Sequence, residues 1–183
     1  NDGRTDLFQE LVEKYQQKIY NFGMRMCGES RDAEDLVQET FLNIFRYLKG
    51  FRYETRFKNW MFRVATTTCL KAKRKPKHAP ERELSLEEFM PGEGEDLPDQ
   101  APDWAQRPLD QLLNEELAAH IKNAIIDLPK KYRMVMVLRD QEGFSTEETA
   151  QMLDISVSNA KVRLHRARLF VREKLKGYFD HDA

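Results

Sequence analysis

The chain has 183 residues and a mass of 21.7 kDa, with 33% charged and 40% apolar residues, which is room for one ordinary domain or two small ones. Its 30 Lys and Arg against 31 Asp and Glu leave a net charge of -1, so any polyanion ligand has to be sought in local charge and not in the total. No apolar run approaches the ~18 residues of a membrane span, and two cysteines 42 positions apart, Cys27 and Cys69, give neither a disulfide framework nor a zinc spacing. No membrane insertion, no metal and no cofactor are expected, and the location expected by default is cytoplasmic.

The first block, residues 6–75, has apolar residues at three- and four-residue intervals, the period of amphipathic helices. Phe8, Leu11, Val12, Tyr15, Ile19, Phe22 and Met26 form one stripe. Leu36, Val37, Phe41, Ile44, Phe45 and Leu48 form a second, and Phe57, Trp60, Met61, Val64, Ala65, Cys69 and Ala72 a third. Three such stripes are buried only on one another, which predicts a small bundle broken at Gly28 and Gly50.

The second predicted helix opens with Glu29, Asp32, Glu34 and Asp35 against Arg31 alone. Acids near a helix N-terminus are favoured by its dipole. That accounts for Asp32, Glu34 and Asp35 but less well for Glu39, and a face of Asp35, Gln38, Glu39 and Leu42 could instead dock a basic partner protein. Residues 46–75 then carry ten Lys or Arg against Glu54, with Phe51, Tyr53, Phe57 and Trp60 among them. Cations for phosphates beside rings for unstacked bases suit single-stranded nucleic acid. Trp60 lies in the apolar stripe and is expected to be buried, whereas Phe51 and Tyr53 lie in the Gly50 break and are expected to be freer.

Six of the seven prolines fall between Pro76 and Pro108, together with nine acids and three basic residues. Proline removes helix hydrogen bonds and like charge extends a chain, so residues 76–108 are expected to be an acidic linker with at most a turn at 84–90.

The second block, residues 109–178, again has helical spacing, through Leu109, Leu112, Leu113, Leu117, Ile121 and Ile125, then Tyr132, Val135, Met136 and Arg139 after Pro129. Ser145 and Glu148 form a capping-box pattern that opens a short helix ending near Leu153. A turn at 154–157 and a longer helix from about Ser158 to Lys176 complete a helix-turn-helix pattern, with Ala150 at the close contact. From Ser156 to Lys176 there are seven Lys or Arg and one acid, Glu173. Lys161, His165, Arg168 and Arg172 share one helical face and Ala160, Leu164, Ala167 and Val171 the opposite one, so one face packs while the other can meet duplex DNA.

These stretches carry a family likeness. Asp32-Ala33-Glu34-Asp35-Leu36-Val37-Gln38-Glu39-Thr40-Phe41 resembles the polymerase-binding helix of bacterial sigma factors of the extracytoplasmic-function (ECF) group, and Phe57-Lys58-Asn59-Trp60-Met61-Phe62-Arg63-Val64-Ala65 resembles the promoter-melting segment that follows it. Leu128-Pro129 through Leu175, including His165-Arg166-Ala167-Arg168, is similar to the C-terminal helix-turn-helix domain of that family. The resemblance implies an all-α, two-domain, non-catalytic initiation factor that binds core RNA polymerase and promoter DNA. It assigns Asp32, Asp35, Gln38, Glu39, Phe41 and Leu42 to the polymerase clamp. Lys49, Phe51, Arg52, Tyr53, Arg56, Arg63, Thr67 and Lys71 are assigned to the melted non-template strand, and Ser158, Asn159, Lys161, Arg163, His165, Arg166 and Arg168 to the duplex upstream element. It also admits an anti-sigma partner, which no residue names.

Four departures from the family pattern stand out: Thr67 in place of a frequent Asn, Asp154 in place of a frequent Gly, Ser158-Asn159-Ala160 in place of the more frequent Gly-Thr-Val, and Thr149 in place of an apolar residue. The rival reading is a two-domain helix-turn-helix repressor or activator that needs no polymerase. A resolvase or nuclease would require an activated Ser or a metal-binding carboxylate cluster, and none stands out.

Overall fold

The computed structural model describes residues 2–71 and 115–179, and every regular element among them is helical. The chain divides into two compact units, Asn1–Arg74 and Lys75–Ala183. The acidic stretch 76–108, its expected turn, Ala72 and Leu109 to Leu113 lie outside the described residues.

The first unit holds α1 (Asp2–Cys27), α2 (Ser30–Tyr47), a single 3-10 turn (Leu48–Gly50) and α3 (Phe57–Lys71). Gly28 ends α1 with φ +82°, its N–H donating to the Met24 carbonyl at 2.9 Å, because a left-handed residue lets the chain reverse without a Cβ clash. Gly23 lets α1 and α2 approach closely: a Cβ built there would lie 2.9 Å from the Ala33 Cα. Ile19, Phe22, Ala33, Ile44, Met61, Phe62 and Ala65 are fully buried between the three helices.

One expectation shifts here. The buried edge of α3 is turned by one residue: Phe62, outside the expected stripe, packs edge-on against Phe22 at 5.6 Å, while Phe57, Trp60 and Val64 are only half-buried. Cys69 is in the core and Cys27 is half-buried at the end of α1.

The second unit holds α4 (Glu115–Asp127), α5 (Lys130–Met136) continued by a π-helical turn (Val137–Gln141), α6 (Thr146–Leu153) and α7 (Val157–Phe179). The buried Arg133 guanidinium donates to the Ile126 and Leu128 carbonyls, satisfying orphan acceptors at the end of α4. Leu128, Met134 to Leu138, Ala160, Ala167 and Val171 make the core. The capping box forms as expected: Glu148 N–H donates to Ser145 Oγ at 3.1 Å, and Ser145 N–H to a Glu148 carboxylate oxygen at 2.9 Å. Asp154 closes α6 at φ +54°, the left-handed position where a short polar side chain is better tolerated than most. The next helix begins at Val157, a residue before the expected start, because Ser156 Oγ accepts the Asn159 N–H at 3.1 Å and so caps it.

Candidate functional site

Three surfaces carry the residues singled out by the sequence. On α2, Ala33, Leu36, Phe41 and Ile44 turn inward, and Asp35, Gln38, Glu39 and Leu42 turn out, with Asp32 partly covered. Phe41 corrects its assignment: it is 6% exposed, with its ring 6.4 Å from Phe8, and belongs to the core and not to a docking face. The apolar contribution to the outer face comes from Leu42, 51% exposed, and Phe45, 62% exposed. Phe45 had been placed in the core stripe; spacing alone put it one turn past Phe41, whereas its ring rests on the flank of Phe8 at 5.1 Å and leaves the rest to solvent. Glu39 accepts a hydrogen bond from Asn43 Nδ2 at 3.3 Å, and the same amide reaches Thr68 Oγ1 on α3 at 3.3 Å, which fixes the acidic face relative to α3.

The second surface is the loop 51–56 with the outer face of α3. Tyr53 is exposed, as its place in the break suggested, whereas Phe51 is half-buried, and Trp60, expected in the core, is only half-buried. Phe51 sits at the centre of an aromatic cluster, 4.8 Å from Tyr53, 5.2 Å from Trp60 and 5.7 Å from Phe57. Tyr53 is 86% exposed and has φ +60°, a conformation that a bulky residue adopts at a cost of about 1–3 kcal/mol. In that conformation the tyrosine ring stands out from the loop, tilted against Phe51. Arg63, Thr67 and Lys71 recur every fourth residue on α3 and are all exposed, and Thr67 Oγ1 donates to the Arg63 carbonyl at 2.8 Å. Lys49, Arg52, Arg56, Arg63 and Lys71 make no ion pair with any described residue, so their charge is available to an anion.

The third surface is α7. Ser158 and Asn159 are exposed in its first turn, and Lys161, Arg163, His165 and Arg166 are half-exposed, opposite the buried Ala160, Leu164, Ala167 and Val171. Arg168 is taken out of this set. Its guanidinium forms a two-pronged pair with Asp140 at 2.7 and 2.9 Å, the two side chains being 12% and 8% exposed. Neighbouring Arg139 reaches the other way, donating to the Phe144 carbonyl and to Thr146 Oγ1, both at 3.1 Å. The π turn thus presents successive side chains to both helices of the helix-turn-helix. Sequence reading missed Asp140 altogether, since its partner is 28 residues away and no local pattern links them.

Among the described residues no cluster of His, Cys, Asp or Glu is disposed to hold a metal, and no helix is long and apolar enough to cross a membrane.

Comparison with known proteins matches residues 11–78 to sigma-70 region 2 and residues 120–171 to sigma-70 region 4. The chain is 33% identical over 174 residues to the ECF RNA polymerase sigma factor SigW of Bacillus subtilis, covering 95% of this chain and 91% of that one. It is 31% identical over 178 residues to the RNA polymerase sigma-H factor of Pseudomonas aeruginosa, with 95% and 89% covered. The fold is similar to that of the sigma factor RpoE of Bartonella quintana, solved in complex with the anti-sigma factor NepR, at a TM-score of 0.63 and 22% identity over 92% of this chain and 96% of that one. The repressor alternative is not favoured by these likenesses. A sigma-70 region 2 followed by a sigma-70 region 4, in a chain more than 30% identical to ECF sigma factors over almost its whole length, makes the chain a member of the ECF group of RNA polymerase sigma factors, a DNA-binding transcription initiation factor.

Proposed function

We propose that the three surfaces divide the work of initiation. The outer face of α2, through Asp32, Asp35, Gln38, Glu39 and Leu42 with Phe45 added, docks on core RNA polymerase. An apolar centre of two side chains ringed by carboxylates and an amide is the make-up of a protein interface whose partner is basic and apolar. The loop and α3 surface, through Lys49, Phe51, Arg52, Tyr53, Arg56, Arg63, Thr67 and Lys71, holds the melted non-template strand. Ser158, Asn159, Lys161, Arg163, His165 and Arg166 on α7 read the upstream element as duplex in the major groove.

The observation that carries this division is the contrast between the two cationic surfaces. One sets its charges around mutually packed rings, half-buried but for the exposed Tyr53, which suits unstacked bases. The other sets them on the outer side of a straight helix whose inner side is small and apolar, which suits a groove. The chain lends specificity and carries out no chemistry of its own. The acidic stretch 76–108 spaces the two units and competes with nucleic acid for basic channels of the polymerase.

An inhibitory protein that covers α2 would block docking directly. The exposed Leu42 and Phe45 supply the apolar contact that such an anti-sigma partner needs, in keeping with the complex in which the structurally similar RpoE was solved.

Transcription of a genomic fragment library by core enzyme, with and without the purified chain, tests the reading. A defined set of start sites that depends on the chain supports it, and an unchanged transcript population rejects it.

A further inference from the structure

The ring cluster does not stop at α3. Three centroid steps of 4.8, 5.7 and 5.7 Å lead from Tyr53 through Phe51 and Phe57 to Tyr15 on α1. Tyr15 is half-buried, and two exposed lysines of its own helix flank its ring: Lys14 Nζ lies 5.6 Å and Lys18 Nζ 5.8 Å from the centroid. Lys14 and Lys18 are spaced i,i+4, where like charges repel and lower helix stability. Neither makes an ion pair with a described residue. Glu10, four positions before Lys14, shares its face but forms no ion pair with it, Glu13 points to the other side of the helix, and the intervening Gln16 and Gln17 are neutral. Two like charges that close no ion pair with a described residue, 5.6 and 5.8 Å from a ring that continues a stacking platform, are complementary to a phosphodiester chain whose bases lie against that platform.

We propose that the single-strand surface extends onto α1, where Lys14 and Lys18 take two phosphates of single-stranded DNA and Tyr15 supports the ring platform between them. The inference rests on the reading of the loop and α3 as a single-strand surface. It adds residues of a helix that no sequence motif had implicated. Tyr15 looks like core by spacing, and the lysines look like ordinary solvated charge until Phe57 places them beside the loop.

The test is the salt dependence of binding of a short, fluorescein-labelled, mixed-sequence DNA single strand to holoenzyme reconstituted from core polymerase and the full chain. The contribution of core polymerase is common to all variants and cancels in the difference. Each lost phosphate contact on a single strand lowers the slope of log K against log salt by about 0.7, so K14A/K18A should lower it by about 1.4. Should the alanine pair unfold, K14Q/K18Q, which keeps the side-chain bulk, should give the same loss. R52A/R56A, in the loop, reports on the underlying reading. An unchanged slope in K14Q/K18Q with a lowered slope in R52A/R56A overturns the extension and leaves the loop surface standing. Unchanged slopes in both overturn the loop surface and the extension with it.

Discussion

Arg168 on α7 and Asp140 in the π turn after α5 form a two-pronged ion pair at 2.7 and 2.9 Å, almost closed to solvent. An i→i+5 turn is wider than an α turn, and Glu142 N–H donating to the Val137 carbonyl at 2.9 Å closes it. The widening lets Arg139 and Asp140 diverge toward α6 and α7, so the angle of the helix-turn-helix is set by polar contacts as well as by Ala150, Ala160 and Ala167.

Removing one member of that pair leaves the other charge buried. Arg168→Ala and Asp140→Ala should each destabilise the second unit by about 3 kcal/mol, and Arg168→Met with Asp140→Leu should recover much of the loss. Urea unfolding of the single and double variants checks this. Because Arg168 is already neutralised, Arg168→Met with Asp140→Leu should also leave the salt slope of duplex binding unchanged, whereas Lys161→Ala, losing one phosphate contact, should lower it by about 0.9.

Thr149 is fully buried on α6 and its Oγ1 has no hydrogen-bond partner among the described residues. A buried hydroxyl left unsatisfied costs about 1–3 kcal/mol. Thr149→Val keeps the shape and removes the polar atom, so the midpoint of thermal unfolding should rise, with a stabilisation of about 1 kcal/mol.

Gly23 faces Ala33 where α1 crosses α2, and a Cβ there would meet backbone at 2.9 Å. Gly23→Ala should destabilise the first unit by about 1–3 kcal/mol despite the better helix propensity of alanine, since the clash is with a main-chain atom that cannot turn aside. Chemical denaturation followed by the fluorescence of Trp60, the tryptophan of the first unit, measures it, and combining the change with Ala33→Gly should return less than the full loss.

How far the sequence disclosed this architecture depends on the range of the interaction. The capping box of Ser145 and Glu148, the left-handed Asp154 and the break at Gly28 are local, set by residues within one turn, and they stand where the sequence placed them. Stripe membership was harder at the edges: a residue step turns a helix by about 100°, so Phe45, counted in the stripe with the buried Phe41, stands out in solvent, and Phe62 went unnoticed. Charge spacing located the cations of α7 but not their partners. The pairing of Arg168 with Asp140 and the stacking of Phe51 on Trp60 depend on contacts between separate elements, which periodicity does not encode.

The claim on which the rest depends is that the outer face of α2 docks the polymerase separately from the DNA-reading face of α7. Its direct measurement is the equilibrium affinity of the fluorophore-labelled chain for core RNA polymerase, compared across three proteins: wild type, Asp35→Lys with Gln38→Ala, and Lys161→Ala. The first pair of changes should weaken core binding by about tenfold or more, equivalent to about 1.4 kcal/mol, and Lys161→Ala should leave it as in wild type. Equal affinity in all three, or an equal loss in both variants, would contradict the account.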